Sequence, residues 1–187
     1  MSFTNLSRRR FMLGAGGAVL SGAFMFPAAA LAAQTRKTNN QRSLAMSNIH
    51  TGESLKLTYF EDGEYIADSL NRYNHLLRDF RANESISMDY NVLDQVFLLS
   101  QLVGHKGTVN IISGYRSPKT NEQLRKNGKG VAKKSYHMKG QAIDVAFPGS
   151  SLASARKAAI AMGAGGVGYY PKSGFLHLDT GPTRNWG

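Results

Sequence analysis

The chain has 187 residues, 42% of them hydrophobic, no cysteine, and a formal net charge of +11. That length holds one compact domain around one core. The missing cysteine excludes disulfides, zinc ribbons, a thiol nucleophile and a lipidated cysteine, so any metal must be held by His, Asp or Glu.

In chain order, residues 1–32 read as a targeting segment. Ser7-Arg8-Arg9-Arg10-Phe11-Met12-Leu13 resembles a twin-arginine export signal. A Gly/Ala-rich apolar run follows to Phe26, then Pro27 and the small-x-small triplet Ala30-Leu31-Ala32. The run is short and glycine-rich for a membrane span and ends in a cleavage-like sequence. The expectation is cleavage after Ala32. The implied transit partners are the twin-arginine translocase and signal peptidase, and the destination is the periplasm, with no stable membrane anchor after cleavage. Loss of Arg8, Arg9 and Arg10 leaves 20 of the 23 basic residues against 12 acidic ones. A basic surface favours a polyanionic partner. For an exported protein the anionic cell-wall polymer, with its peptide carboxylates, fits better than nucleic acid, and no nucleic-acid partner is expected.

Residues 33–48 are polar and without periodicity, which predicts a flexible linker. Leu55, Leu57 and Tyr59 alternate with polar neighbours as in a half-buried strand, and Asp62-Gly63 predicts a turn into Tyr65-Ile66. Ile66, Leu70, Tyr73, Leu77 and Phe80 recur at helical spacing, predicting a helix over 67–81. A second helix, capped by Asp89 or Asn91, ends near Gly104. His50, His75 and His105 read as surface or core histidines. Val109–Ile112 predicts a buried strand running into a tight Ser113–Pro118 loop, and loops at strand ends often carry function. A short helix from Pro118 to about Lys126 and a basic loop, Lys129–Lys134, follow.

The next stretch carries chemistry. His137 and Asp144 lie seven residues apart, Asp144 on a predicted strand Ala142–Phe147 whose alternation puts Ile143, Val145 and Phe147 in the core. A helix capped by Ser151 runs over Leu152–Met162. Gly163, Gly165, Gly166 and Gly168 follow, without the Lys-Ser/Thr of a phosphate loop. Phe175–Asp179 is a predicted strand with His177 and Asp179 on one face. If it neighbours the Asp144 strand, His177 and Asp144 converge, and His137 reaches the same point from its loop. Two imidazoles and one carboxylate form a catalytic zinc set with an open fourth position. Such an ion can polarise an amide carbonyl and acidify water. Asp179 is the candidate base or, equally, an acceptor orienting an imidazole. Arg116 is the cation for a developing oxyanion or a substrate carboxylate. Tyr169 and Tyr170 either line the cleft or pack.

Ser135, His137, Gly140, Ala142 and Asp144 together form Ser-x-His-x-x-Gly-x-Ala-x-Asp, which resembles the signature of the M15 family of D-alanyl-D-alanine peptidases. Ser113–Ser117 is similar to that family's upstream loop, and Phe175–Asp179 to its third-ligand strand. The similarity extends through residues 48–53, 130–137 and 164–171. It implies a small single α+β domain over 49–187, with a central antiparallel sheet and flanking helices, as in lysostaphin-type peptidases and the hedgehog signalling domain. It implies one Zn2+ per chain on His137, Asp144 and His177. Tyr115 and Ser135, within these motifs, join Tyr169 and Tyr170 as substrate-binding candidates. The implied activity is hydrolysis of peptidoglycan stem-peptide crosslinks, including those joining two diaminopimelate residues. The alternatives are a carboxypeptidase trimming uncrosslinked stems and a non-catalytic cell-wall-binding module. Many relatives place a Glu, Asp or His base two or three residues before the third ligand; here those positions hold Phe175 and Gly174.

Overall fold

A computed structural model of the chain describes residues 40–128 and 130–187. The expected signal segment and the first part of the expected linker lie outside the described residues. Strand β1 (Arg42–Asn48) opens the fold, followed by β2 (Ser54–Glu61), β3 (Glu64–Tyr65) and helices α1 (Ala67–Leu76) and α2 (Tyr90–Leu102). Then come β4 (Val109–Ser113), α3 (Pro118–Lys126), a single 3-10 turn (Tyr136–Lys139) and β5 (Ala142–Ala146). Helix α4 (Leu152–Met162) and strands β6 (Gly166–Tyr170), β7 (Phe175–Asp179) and β8 (Arg184–Trp186) complete it. Among the described residues the eight strands form one sheet in the order β3-β2-β1-β4-β5-β7-β6-β8. The fold is α+β. The sheet is mixed rather than purely antiparallel, because β1 pairs parallel with β4 and β6 parallel with β8.

The C-terminal part of the expected linker is instead a central strand. Leu44 and Met46 of β1 are buried, and β1 lies between β2 and β4. Its two apolar core positions are too few to stand out among the polar neighbours Arg42, Ser43 and Ser47. Helix α1 stops at Leu76, short of the expected 81. The Leu77 carbonyl accepts the Tyr115 amide at 2.7 Å, so the long-range contact takes over where the helical ladder would continue. Asp79 then turns back to pair with Glu84 and accepts the Ser117 amide at 2.9 Å.

Helices α2 and α4 pack on the sheet, and Val92, Leu93, Val96, Leu99, Ile111, Ile143, Val145, Leu176 and Leu178 form the buried core. Tyr73 of α1 donates its hydroxyl to the Leu44 carbonyl at 2.7 Å and accepts the Leu57 amide at 3.2 Å, tying α1 to β1 and β2. Ile143 and Val145 point into this core, so Asp144 between them points to the opposite face. No helix of the described residues is long and apolar enough to cross a membrane.

Candidate metal centre

Register across the sheet builds the site. Ser113 of β4 pairs with Asp144 of β5, Asp144 with His177 of β7, His177 with Gly168 of β6, and Gly168 with Trp186 of β8. Directly paired residues share a face, so this row crosses five strands, four of them contributing a side chain and β6 a glycine. A second row, one pleat on, runs Ala142, Asp179, Gly166 and Arg184.

His137 enters from the 3-10 turn. Ser135 caps the turn, its hydroxyl accepting the His137 amide at 3.3 Å. Gly140 ends it in the left-handed conformation, φ 68°, where a Cβ would fall 2.9 Å from the Ser87 carbonyl oxygen. That accounts for the serine and the glycine of the motif: they bend the chain so that His137 faces the sheet.

Three donor atoms meet. His137 Nε2 lies 3.1 Å from His177 Nδ1, His177 Nδ1 lies 2.9 Å from Asp144 Oδ1, and His137 Nε2 lies 3.3 Å from the same oxygen. All three residues are buried. A tetrahedral zinc with bonds of about 2.0–2.1 Å would space its ligand atoms by about 3.3–3.4 Å. The triangle therefore matches one face of such a tetrahedron to within a few tenths of an ångström.

The far side of each ring fixes its lone pair. His137 Nδ1 contacts the Gly114 carbonyl at 2.7 Å. A carbonyl can only accept, so this nitrogen holds the proton and Nε2 presents its lone pair to the triangle. His177 Nε2 donates to Asp179 Oδ2 at 2.9 Å, leaving Nδ1 for the triangle. Polar partners of this kind are what orient metal-ligating imidazoles. The donor set thus fits a divalent cation in both spacing and tautomer.

Without a cation, protons take its place between the three groups. Burial alone would push the Asp144 carboxyl up, but charge on His137 and N–H hydrogen bonds from both imidazoles, which a bound cation would displace, hold it well below the usual carboxylate range. Burial would push His177 down, and the flanking Asp144 and Asp179 reverse that and raise it. Asp179 is also held low: burial opposes ionisation, while His177, Arg184 and the Gly181 amide favour it.

Asp179 lies behind the His177 ring, fully buried. Arg116 lines the cleft with its Nη2 3.8 Å from Asp144 Oδ2. Long hydrogen bonds of 3.4 Å to Asn121 and Ser113 hold its terminal nitrogens, and its buried Nε has no partner. Burial lowers its pKa, with Asp144 partly offsetting. Ser135 and Tyr170 line the same cleft of about 590 Å3. Tyr115 and Tyr169 do not. Tyr115 is buried with its amide on Leu77, and Tyr169 packs beneath the Arg156 guanidinium.

Among the cleft residues to which the sequence assigned no substrate role are Phe175, Arg184 and Trp186. Tyr170 stacks on Phe175 at 4.6 Å and accepts the Trp186 indole N–H at 3.0 Å. Arg184 grips both oxygens of Asp179. The one sequence signal was the two-residue period of Arg184-x-Trp186, which repeats that of His177-x-Asp179, but no apolar pattern marks β8 as a strand. Of the other histidines, His50 stacks on Phe80, His75 lies 3.8 Å from Glu53 and His105 packs edge-on to Phe147, outside the triangle.

Comparison with known proteins accords with this geometry. Residues 36–186 match the M15-type peptidase family model described as peptidoglycan L,D-endopeptidase MepK. The peptidoglycan L,D-endopeptidase MepK of Escherichia coli K12 is 49% identical over 180 residues, covering 96% of this chain and 97% of the relative. The probable peptidoglycan L,D-endopeptidase MepK of Haemophilus influenzae is 36% identical over 187 residues, covering 100% and 98%. No solved structure matches. The chain belongs to this M15 peptidase family.

Proposed function

We propose that this member of the family is a zinc-dependent peptidoglycan endopeptidase that hydrolyses peptide crosslinks between stem peptides. The single observation that carries the reading is the donor triangle of His137, Asp144 and His177, with both imidazole tautomers fixed from behind, on the floor of a cleft. The family relationship and the relatives' activity support the reaction class. Zinc is the metal best suited to two imidazoles and one carboxylate at this spacing.

Bound there, zinc supplies a Lewis acid that polarises the scissile carbonyl and makes water acidic enough to attack near neutral pH. The chain's own residues do the rest. Arg116 lacks a strong partner at any guanidinium nitrogen and is half-buried at the cleft wall, so its charge is available to a developing oxyanion or a substrate carboxylate. Tyr170, Phe175 and Trp186 give an apolar wall for the aliphatic parts of the peptide, and Lys134 adds a cation to the lining. Asp179 acts as the acceptor that orients His177, because its oxygens already accept from His177, Arg184 and the Gly166 and Gly181 amides. Residues 1–32 act as a twin-arginine signal, cleaved after Ala32, and the mature enzyme works in the periplasm, where its substrate lies.

The test is digestion of purified crosslinked muropeptide dimers, with and without chelator, beside His137→Ala. Conversion of dimers to monomers that chelator abolishes and zinc restores, absent in the variant, is the expected result; the product masses name the bond. Metal-loaded protein that left dimers intact but trimmed monomers would indicate a carboxypeptidase. Protein that altered neither would indicate a wall-binding module.

A further inference from the structure

Two arginines line the cleft, and their commitments differ. Arg116 holds only long contacts. The guanidinium of Arg184 forms a two-pronged pair with Asp179, Nη1 to Oδ1 at 3.0 Å and Nη2 to Oδ2 at 2.6 Å. Nη1 also donates to the Pro182 carbonyl at 2.9 Å. Its plane is packed against Tyr136 and Trp186, 5.1 Å from each ring centre. Bidentate arginine–carboxylate pairs are strong and geometrically demanding. Arg184 is therefore engaged and badly placed to capture a substrate anion.

The reach of Arg184 is itself unusual. Strand β6 lies between β8 and β7, and adjacent strands are about 4.8 Å apart. A β8 side chain can meet one on β7 only where β6 has none. The two β6 residues in the way are Gly166, between Arg184 and Asp179, and Gly168, between Trp186 and His177. A Cβ on Gly166 would fall 2.5 Å from Asp179 Oδ2, and one on Gly168 would fall 2.7 Å from Trp186 Cζ2. The glycine-rich stretch that serves no phosphate thus clears a path from the last strand to the ligand strand.

We infer that Arg184 is a positioning residue of the metal centre: through Asp179 it holds His177 with its proton on Nε2 and its Nδ1 lone pair aimed at the donor triangle. Strand β8 is by this route part of the site. The inference rests on the metal-centre reading above. A residue that only tied β8 to the sheet would leave metal binding untouched.

The test measures zinc affinity of the purified full chain by competition with a chromophoric chelator, for wild type, Arg184→Gln and Arg184→Lys. In parallel, NMR of the zinc-loaded proteins follows solvent exchange of the His177 Nε2–H proton. Loss of the partner directly behind a ligating histidine weakens metal binding by about 10–100-fold; with Asp179 still in place, a loss at the low end, about tenfold, is expected for R184Q, with faster exchange of the Nε2–H proton. R184K, a single point charge unable to span both oxygens, is expected between the two. R184Q affinity within threefold of wild type, with unchanged exchange, overturns the inference while leaving the metal centre standing. If R184Q does not fold, R184K decides alone, and wild-type affinity there overturns it. A wild-type chain that took up no zinc would overturn the metal-centre reading and this inference with it.

Discussion

Asp179→Asn separates two roles that look alike in sequence. The carboxylate takes five donors: Gly166 N at 3.1 Å, Gly181 N at 2.9 Å and Arg184 Nη1 at 3.0 Å on Oδ1, with His177 Nε2 at 2.9 Å and Arg184 Nη2 at 2.6 Å on Oδ2. An asparagine has one acceptor oxygen. Turned either way, its amide nitrogen faces at least two N–H groups, so at least two charge-assisted hydrogen bonds are lost. At about 1.5–3 kcal/mol each the loss is about 3–6 kcal/mol. The Arg184 side chain keeps 39% of its exposure, so water recovers part of its share and the lower end, about 3 kcal/mol, is expected. With a urea slope of about 2 kcal/mol/M, the unfolding midpoint of the metal-free protein falls by about 1.5 M. Zinc affinity falls with it, by about 10–100-fold. A catalytic base would behave otherwise: its amide variant would lose turnover yet keep stability and metal. D179N that unfolds within about 1 kcal/mol of wild type and binds zinc within threefold would refute the orienting role.

Arg116→Gln should cost about 10²–10³-fold in kcat/KM on muropeptide dimers, as for removal of one positioned donor, while zinc affinity stays within threefold; a large loss of zinc would instead make Arg116 part of the metal site's scaffold. Gly168→Ala should destabilise by about 1–3 kcal/mol, because its methyl meets Trp186 at 2.7 Å and Tyr170 at 2.9 Å, the cost of overpacking; an unchanged melting temperature would contradict that packing. Acid stability should carry the mark of Asp79. Burial alone would raise its pKa, but hydrogen bonds from Thr120 and the Ser117 and Arg81 amides hold it below the ordinary value. A carboxyl lowered on folding stabilises fully above its unfolded value, near about 4, and the stabilisation is lost as pH falls through the folded value. Urea midpoints between pH 7 and pH 3 should therefore fall in wild type, whereas Asp79→Asn should start lower and run flatter; parallel curves would remove Asp79 from the account.

Much of this site was legible because its residues act through short-range rules. The serine cap and left-handed glycine of Ser135–Gly140 fix a local bend, and two-residue alternation fixes which of Ile143, Asp144 and Val145 leave the core. His137, Asp144 and His177 could therefore be picked out as donors before any contact was known. Central strand β1 escaped notice because only Leu44 and Met46 mark its core face. The premature end of α1 was equally hidden, since the Leu77 carbonyl is claimed by Tyr115, thirty-eight residues on.

By itself the sequence singled out the three candidate donors, the turn that presents His137 and the strands that carry Asp144 and His177. Only the tertiary structure decided that β5 and β7 pair with Asp144 opposite His177, that Asp179 stands behind a ring instead of in the cleft, and that Arg184 and Trp186 reach it across two glycines. The physical reason is range. Capping and alternation depend on neighbours a few residues away, whereas strand order and register depend on packing the whole sheet, and a residue such as Arg184 acquires its role only from what that packing sets across from it.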